Sequence, residues 1–547
     1  MKKRYSFALL GLLFWTFMLT AQRYDAPKRE LRGVWIATVN NIDYPKKPTI
    51  NGVAQKEEWN KLIEKLRRIG VNAVFVQIRP AADAFYDSEF VPWSKFLTGA
   101  QGTAPVPEYD PLEYMIETAH RNGMEFHAWL NPYRATFNLD TLALSSWHVF
   151  NKHRDWLVRY GNKFYINPGV PDARQHIVKV VKEITENYNI DGIHMDDYFY
   201  PYPIKDLPFP DSVEYAQYGD PYGSLGDWRR NNNDQLIEAL ALEIKAKKPY
   251  LVFGVSPFGV WRNEASDPLG SATRAGAESY DDLYADIVTW LQKGWIDYVA
   301  PQLYFNIGLE AADYATLLEW WRRHTYDQKL VIGQAAYKVG NHPIEDWQEP
   351  DQIPMQLNMN RRYDDVSGSI FFSAKSLLNN ALGVSDSLSD VFYASRALTP
   401  FDDMSDMRPE APQLLRIKGK PEGVKIKWRA NKQAATNGFG LLPEDYYIVY
   451  RFPEGAPIDT NNPENIVFIS DIGGSHDCLI DVTTDNGQVY TYAISAVNRF
   501  RNESPLSNAI TVRKELGKVK RVRSSLLARP TIRKKREVKE EEVDAEF

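Results

Sequence analysis

The sequence predicts a (β/α)8 barrel followed by a β-sandwich. Two observations carry this. Across residues 28–399, eight strand-like apolar runs alternate with segments of helical period. From 412 to 512 the pattern changes to short runs of period two between Gly, Pro and Asn turns. A doubly wound sheet also alternates strand and helix, but no Gly-rich phosphate turn follows the first strand, and eight units of this length suit closure.

Residues 1–21 read as a secretory signal. Lys2, Lys3 and Arg4 precede an apolar run from Phe7 to Leu19, and Ala21 offers a small residue for cleavage. The run falls short of the roughly 20 residues that span a bilayer, so no stable membrane span is expected once the signal is removed. An uncleaved anchor is the alternative. Export places the protein in the periplasm or outside the cell. The expected barrel strands are 31–39, 72–79, 124–131, 190–196, 251–256, 297–305, 329–336 and 368–373. Trp59, Leu62, Leu66 and Ile69 repeat at helical spacing between the first two. Segments 110–122, 172–188, 228–247, 281–293, 311–325 and 351–362 read as further helices.

Pro400, Asp402, Asp403, Asp406 and Pro409 mark 400–411 as a linker. Within 412–512, the runs VKIKW, YYIVYR, IVFIS, CLIDV, VYTYAISAV and AITV are the sandwich strands. Residues 513–547 read as a charged disordered tail: 513–536 carries 11 basic residues and one acidic, while 537–547 carries one basic and six acidic.

Composition narrows the function. Apolar residues at 44% and charged residues at 25% describe a globular chain. A single cysteine, Cys478, excludes a disulfide framework and a cysteine-based metal cluster. A net charge of −6 argues against a nucleic-acid partner. An acidic substrate would need a local basic patch. Aromatics at 13% suit stacking platforms for sugars, although a large aromatic core needs them too. No His-x-x-x-His or Asp-x-Asp-x-Asp spacing occurs, so no metal or cofactor is assigned.

In a barrel of this kind, chemistry sits at the C-terminal ends of the strands. Polar and aromatic residues gather there on six consecutive strands. They are Asn40, Asp43 and Tyr44; Arg79 and Asp83; Asn131, Tyr133 and Arg134; His194, Asp196, Asp197 and Tyr198; Trp261 and Arg262; Gln302 and Tyr304. The Asp196-Asp197 pair is the sharpest of these. Side chains alternate along a strand, so Gly192, His194 and Asp196 share the inward face. Asp196 is expected in the barrel mouth, with Asp197 emerging as the strand turns. Two adjacent carboxylates there raise one pKa and can supply an acid.

The runs LRGVWIATV, GVNAVFVQIRPAADAFY, EFHAWLNPYR, DGIHMDDYFYP, FGVSPFGVWR and DYVAPQLYF resemble the glycosyl-hydrolase-like 10 family of bacterial envelope proteins. The resemblance implies a (β/α)8 barrel that hydrolyses glycosidic bonds in cell-wall or exopolysaccharide glycans. One branch looks like a hydrolase of peptidoglycan strands stripped of their peptides. DGIHMD is also similar to the D-G-F-R-x-D strand of amylase-type barrels, in which the second Asp is the nucleophile; Asp196 is the matching position. The chain departs from barrels that place a Glu on strands four and seven, since the seventh run ends Gly333-Gln334-Ala335-Ala336. The partner of Asp196 therefore stays open among Asp197, Asp83, Asp43 and Glu264. The stretch 490–512 resembles the last two strands of a fibronectin type III domain, and Trp428 stands at its early core Trp. Such a module can carry contacts to envelope or cell-division proteins.

The catalytic candidates are thus Asp196, Asp197 and Asp83. An acetamide-assisted route needs only the adjacent pair, one carboxylate orienting the amide and one protonating the leaving oxygen. Tyr133, Tyr198, Tyr200, Trp261 and Tyr304 are expected to stack on sugars. Arg79, Asn131, Arg134, His194, Arg262 and Gln302 are expected to hold polar groups, with Arg suited to a carboxylate. In 198–203 two prolines favour an extended run, which would line Tyr198, Tyr200 and Tyr202 into one strip. The rival readings are a glycan-binding protein without catalysis and an envelope scaffold.

Overall fold

The computed structural model describes residues 26–402, 408–430, 436–437, 440–441, 444–474 and 477–522. The signal at 1–21 and the tail from 523 lie outside them. Eight parallel strands close a barrel: β1 (Leu31–Ile36), β2 (Ala73–Arg79), β3 (Glu125–Leu130), β4 (Gly192–Met195), β5 (Val252–Val255), β6 (Tyr298–Val299), β7 (Lys329–Gln334) and β8 (Val366–Phe371). Each pairs with its chain neighbours, and β8 returns to β1 with Leu31 opposite Gly368. β6 is far shorter than the expected 297–305. Pro301 has no N–H to give the ladder, and the chain continues along the rim through single bridges of Gln302 to Phe258 and Gly333.

Helices α1 (Gly52–Ile69), α2 (Pro111–Arg121), α3 (Pro171–Asn187), α4 (Leu225–Lys247), α5 (Ile287–Gln292), α6 (Tyr314–Arg323), α7 (Gln352–Asn360) and α8 (Ala374–Asn379) surround the barrel. α1 starts where Asn51 accepts from the N–H groups of Val53 and Ala54, and stops at left-handed Gly70. The buried stripe Trp59, Leu62, Leu66 and Ile69 is the one the spacing predicts. The expected helix 281–293 splits instead, because Tyr284 turns left-handed (φ 52°) between Ser279–Asp282 and α5.

Side chains fill the barrel. Phe75 stacks on His127 at 4.3 Å, beside Tyr298 and His194. Gly192 is needed here: a Cβ would lie 2.8 Å from the Val252 carbonyl and against the His127 ring. The bottom is closed from the C-terminal region. Phe401 packs beneath Tyr298 and His127, and Asp402 pairs with Arg29 at 3.7 Å. Residues 400–402 therefore belong to the barrel floor and are not linker; 403–407 lie outside the described residues.

The C-terminal region holds two larger antiparallel sheets, beside a two-stranded pairing of Thr436–Asn437 with Gly440–Leu441. One is β9 (Gln413–Lys420), β10 (Gly423–Arg429) and β13 (Cys478–Asp481). The other, in spatial order, is β12 (Ile466–Ile469), β11 (Glu444–Pro453), β14 (Val489–Asn498), β15 (Ile510–Glu515) and β16 (Lys518–Arg521). Trp428, Val449, Tyr492 and Ile494 fill the core between them. The charged tail does not begin at 513: β15 runs to Glu515 and pairs with β16. Basic composition concealed these strands. The Lys514 stem is buried, and its ammonium donates to the Lys420 and Gly423 carbonyls.

This region is docked on the barrel. Arg501 donates to Glu125 at the foot of β3 (2.8 and 3.3 Å), and Arg499 donates to Asp191 below β4 (2.9 Å). Burial alone would raise the Glu125 carboxyl; the Arg501 guanidinium overrides this and holds it well below the usual range.

Candidate active site

A cleft of about 380 Å3 opens at the C-terminal end of the barrel. Asn40, Asp196, Asp197, Tyr198, Arg134, Gln302 and Tyr304 line it, so seven of the expected strand-end residues come together. Asp196 leaves β4 on the inward face. Its Oδ2 accepts from Trp129 Nε1 (3.1 Å), both oxygens accept from Asn131 Nδ2 (3.1 Å each), and Oδ1 accepts from the Tyr198 N–H (3.3 Å). Asp197 takes a hydrogen bond from the Tyr202 hydroxyl on Oδ2 and is held by Gln302.

Burial raises both carboxyls. Asp196 is pushed up to about 6, with Asp197 adding to the rise while Arg134, Asn131 and Trp129 oppose it. Asp197 is raised too, against Tyr202 and Gln302. Both oxygens of Asp196 already face N–H donors, so a proton there would displace one of them. Asp197 is likewise held by Tyr202, Gln302 and its own N–H, so both members of the pair are ringed by donors.

Arg134 is the cation of the cleft wall, its guanidinium sandwiched between Tyr198 (4.5 Å) and Phe137 (4.9 Å). Lys163 stands near it; burial and then Arg134 lower its pKa. Phe137, Lys163 and Tyr165 come from the long connection after β3, whose hairpin Leu157–Tyr160/Lys163–Ile166 builds this wall. The sequence reading passed over them, since nothing in a hairpin between barrel strands marks it as cleft-forming. It also missed Trp35 and Trp129, which strand alternation exposes as inward residues of β1 and β3.

Asn131 and His194 lie beneath the cleft as supports. Asn131 fixes Asp196 and accepts from the Arg134 N–H (2.9 Å). Trp35 Nε1 donates to His194 Nε2 (3.1 Å), so the ring proton sits on Nδ1 and faces the Tyr298 hydroxyl (2.8 Å). Burial, with His127 nearby, keeps His194 neutral.

The other expected residues are elsewhere. Asp83 is buried in its own loop, accepting from the Ala81 N–H (3.2 Å) and Gln101 Nε2 (3.3 Å), and burial pushes it up to about 6. Arg79 is buried and donates to the Asn131 and Pro132 carbonyls (2.6 and 3.2 Å); burial lowers it to about 10. Tyr133 is buried. Trp261 stacks on Trp320 at 5.8 Å, and Arg262 pairs with Asp267 and Asp281. Asp43 serves the backbone, accepting from Ala37 and Lys375 N–H groups, and Glu264 is exposed away from the cleft.

The tyrosine strip does not form. The chain turns after Asp197, the Phe199 N–H reaching the Asp197 carbonyl (3.0 Å), and alternation ends there. Tyr200 is turned inward against Phe209 and Tyr284 at 1% exposure. Tyr198 alone keeps 37% exposure at the cleft, with Tyr202 edge-on to it at 5.8 Å.

Residues 30–349 match the family described as glycosyl hydrolase-like 10. Over 514 residues the chain is 43% identical to Glycosyl hydrolase YngK of Bacillus subtilis, covering 92% of this chain and 98% of that protein. It is 39% identical over 376 residues to Glycosyl hydrolase DigH of Escherichia coli K12, covering 64% of this chain and 84% of that protein. Among solved structures, the PgaB (BpsB) glycoside hydrolase domain from Bordetella bronchiseptica aligns at 15% identity with a TM-score of 0.45, over 66% of this chain and 99% of that one.

Proposed function

Because this chain belongs to the glycosyl hydrolase-like 10 family and is a glycoside hydrolase, we propose that it is exported and cuts an envelope glycan rich in N-acetylhexosamine, with peptidoglycan strands stripped of their peptides as the substrate. The observation that carries this reading is the adjacent buried pair Asp196-Asp197 at the cleft base beneath the cations Arg134 and Lys163.

The substrate's acetamide oxygen attacks the anomeric carbon as the glycosidic bond breaks. Asp196, held as a carboxylate by Trp129, Asn131 and the Tyr198 N–H, faces the positive charge that develops on the acetamide and stabilises it. Asp197 gives its proton to the leaving oxygen, then takes one from the water that opens the intermediate. Removing the peptide from a muramic acid residue frees its lactyl carboxylate, and Arg134 with Lys163 offers that group a cationic wall. Tyr198 and Tyr304 present rings to the sugar faces. The C-terminal sheets are read as a fibronectin type III-like module; their strand order and the buried Trp428 support this.

Digestion of amidase-stripped and of intact peptidoglycan, with products weighed by mass spectrometry, tests the reading. Stripped strands should yield short saccharides, and peptide-bearing strands far fewer. Equal release from both would remove the lactyl carboxylate from the account.

A further inference from the structure

One half of the cleft takes no part in the chemistry of the carboxylate pair. Gln77 stands opposite Trp129 on β3, and Trp129 stands opposite His194 on β4. Gln77 is thus two strands from the end of β4 that carries Asp196, about 10 Å around the barrel. Trp35, Ala37, Val39, Asn40, Ile42 and Phe372 line the cleft on this side, and none of them is charged. Val39, Ile42 and Phe372 pack on the inner core of the barrel with Trp35 and stay partly open. The cations of the cleft, Arg134 and Lys163, and its carboxylates, Asp196 and Asp197, belong to the other half.

Two carboxamides in this apolar half have hydrogen-bonding groups to spare. Gln77 is 1% exposed. Its Oε1 accepts from the Val39 N–H (3.0 Å), and that bond fixes which end of the amide is oxygen. Nε2 then has no partner among the described residues, and it keeps surface at the cleft. A donor set so deep in an apolar lining costs stability until water or a ligand satisfies it. Asn40 lines the same half, is exposed, and has no side-chain partner among the described residues. Its backbone is left-handed (φ 50°, ψ 21°).

We propose that this half of the cleft is a pocket for the acetamide of a sugar next to the one whose bond is cleaved. The acetamide carbonyl accepts from Gln77 Nε2, its N–H donates to the Asn40 side chain, and its methyl lies against Val39, Ile42 and Phe372. This rests on the N-acetylhexosamine substrate proposed for the cleft, and makes Gln77 and Asn40 determinants of specificity within it. The other groups of an envelope glycan fit less well. A carboxylate is drawn to Arg134 and Lys163, an ammonium finds no carboxylate in this half, and a hydroxyl leaves the apolar side chains uncovered. The separation from Asp196 suits a neighbouring sugar rather than the one attacked.

The test digests amidase-stripped peptidoglycan from which part of the acetyl groups has been removed, and sequences the sugars on both sides of each cut by tandem mass spectrometry. The acetamide-assisted reaction requires an acetamide on the sugar that becomes the new reducing end. The pocket requires a second one, on one of its two neighbours. Wild type should therefore deplete free amines at that neighbour by about tenfold or more against their frequency in the substrate. Asn40→Gly keeps the left-handed backbone and removes the amide. Gln77→Met removes the donor at similar length. Each should admit free amines at the neighbouring sugar, keep the requirement at the new reducing end, and lower kcat/KM on fully acetylated strands about tenfold. Gln77→Met also takes the acceptor from the Val39 N–H, so melting is followed in both variants; Asn40→Gly leaves that bond intact. An acetamide required at the new reducing end but random at both neighbours, or a wild-type pattern in folded variants, would overturn the pocket and leave the substrate proposal standing. Random acetylation at all three sugars, or no cleavage of fully acetylated strands, would remove the substrate proposal and the pocket with it.

Discussion

At the scale of single residues, two neighbouring aspartates have different partners and different work. Asp196 is held by Trp129, Asn131 and the Tyr198 N–H, and Asp197 by Tyr202 and Gln302; in the proposed reaction Asp197 is the proton donor. Asp197→Asn should therefore lose about 10^3 in rate on a natural glycan but recover much of it on an aryl glycoside, whose leaving group needs no proton. Asp196→Asn should show no such rescue; rates on the two substrates check this. The pair also sets a pH dependence. The folded pKa of Asp196, about 6, lies above the ordinary value of 3.8, so the native state binds more protons there than the unfolded one between those values. Stability contributed by protonated Asp196 is complete below pH 3.8 and lost as pH rises through 6. Burial raises the Asp197 carboxyl too, so Asp197→Asn should gain stability relative to wild type as pH rises above 3.8, measured by urea unfolding at pH 4 and pH 7. The tyrosines divide in the same way. Tyr200→Ala should cost about 3 kcal/mol or more, as a buried aromatic does. Tyr198→Ala should leave melting nearly unchanged and raise KM, since it gives up the cleft ring over Arg134.

At the scale of elements, the barrel strands were legible because each is an apolar run bounded by helical period, and the catalytic pair was legible because alternation along β4 points Asp196 inward. What stayed hidden was set by tertiary structure. Asp83 and Arg79 occupy a strand-end position that reads as catalytic, yet their loop folds back and buries them. Trp261 reads as a platform and is core, because α6 brings Trp320 against it. The docking of the C-terminal sheets was equally hidden, since Arg499 and Arg501 sit in a loop whose composition reads as solvated surface. Arg501→Ala leaves Glu125 buried without its charge partner and should cost about 3–5 kcal/mol, read from chemical denaturation. A chain cut near 400 strips Arg501 from Glu125 and Arg499 from Asp191, and uncovers the apolar barrel floor with them. It should melt far below the full chain, contrary to the independent barrel that the Pro/Asp cluster suggests.

At the scale of the whole molecule, the chain has two ends. The upper end presents carboxylates, cations and rings to a glycan. The lower end is closed by the C-terminal sheets, which fix the feet of β3 and β4 through buried ion pairs. β3 and β4 also carry Trp129, Asn131 and Asp196 at their tops, so the lower clamp and the upper cleft share the same strands. The central claim is that the carboxylate pair at the end of β4 hydrolyses the glycan. Its most direct test is the rate at which purified full-length protein and its Asp196→Asn variant release reducing ends from amidase-stripped peptidoglycan, with circular dichroism confirming that both are folded. The account predicts a fall of about 10^3 or more in the variant with an unchanged spectrum; equal rates from two equally folded proteins would contradict it.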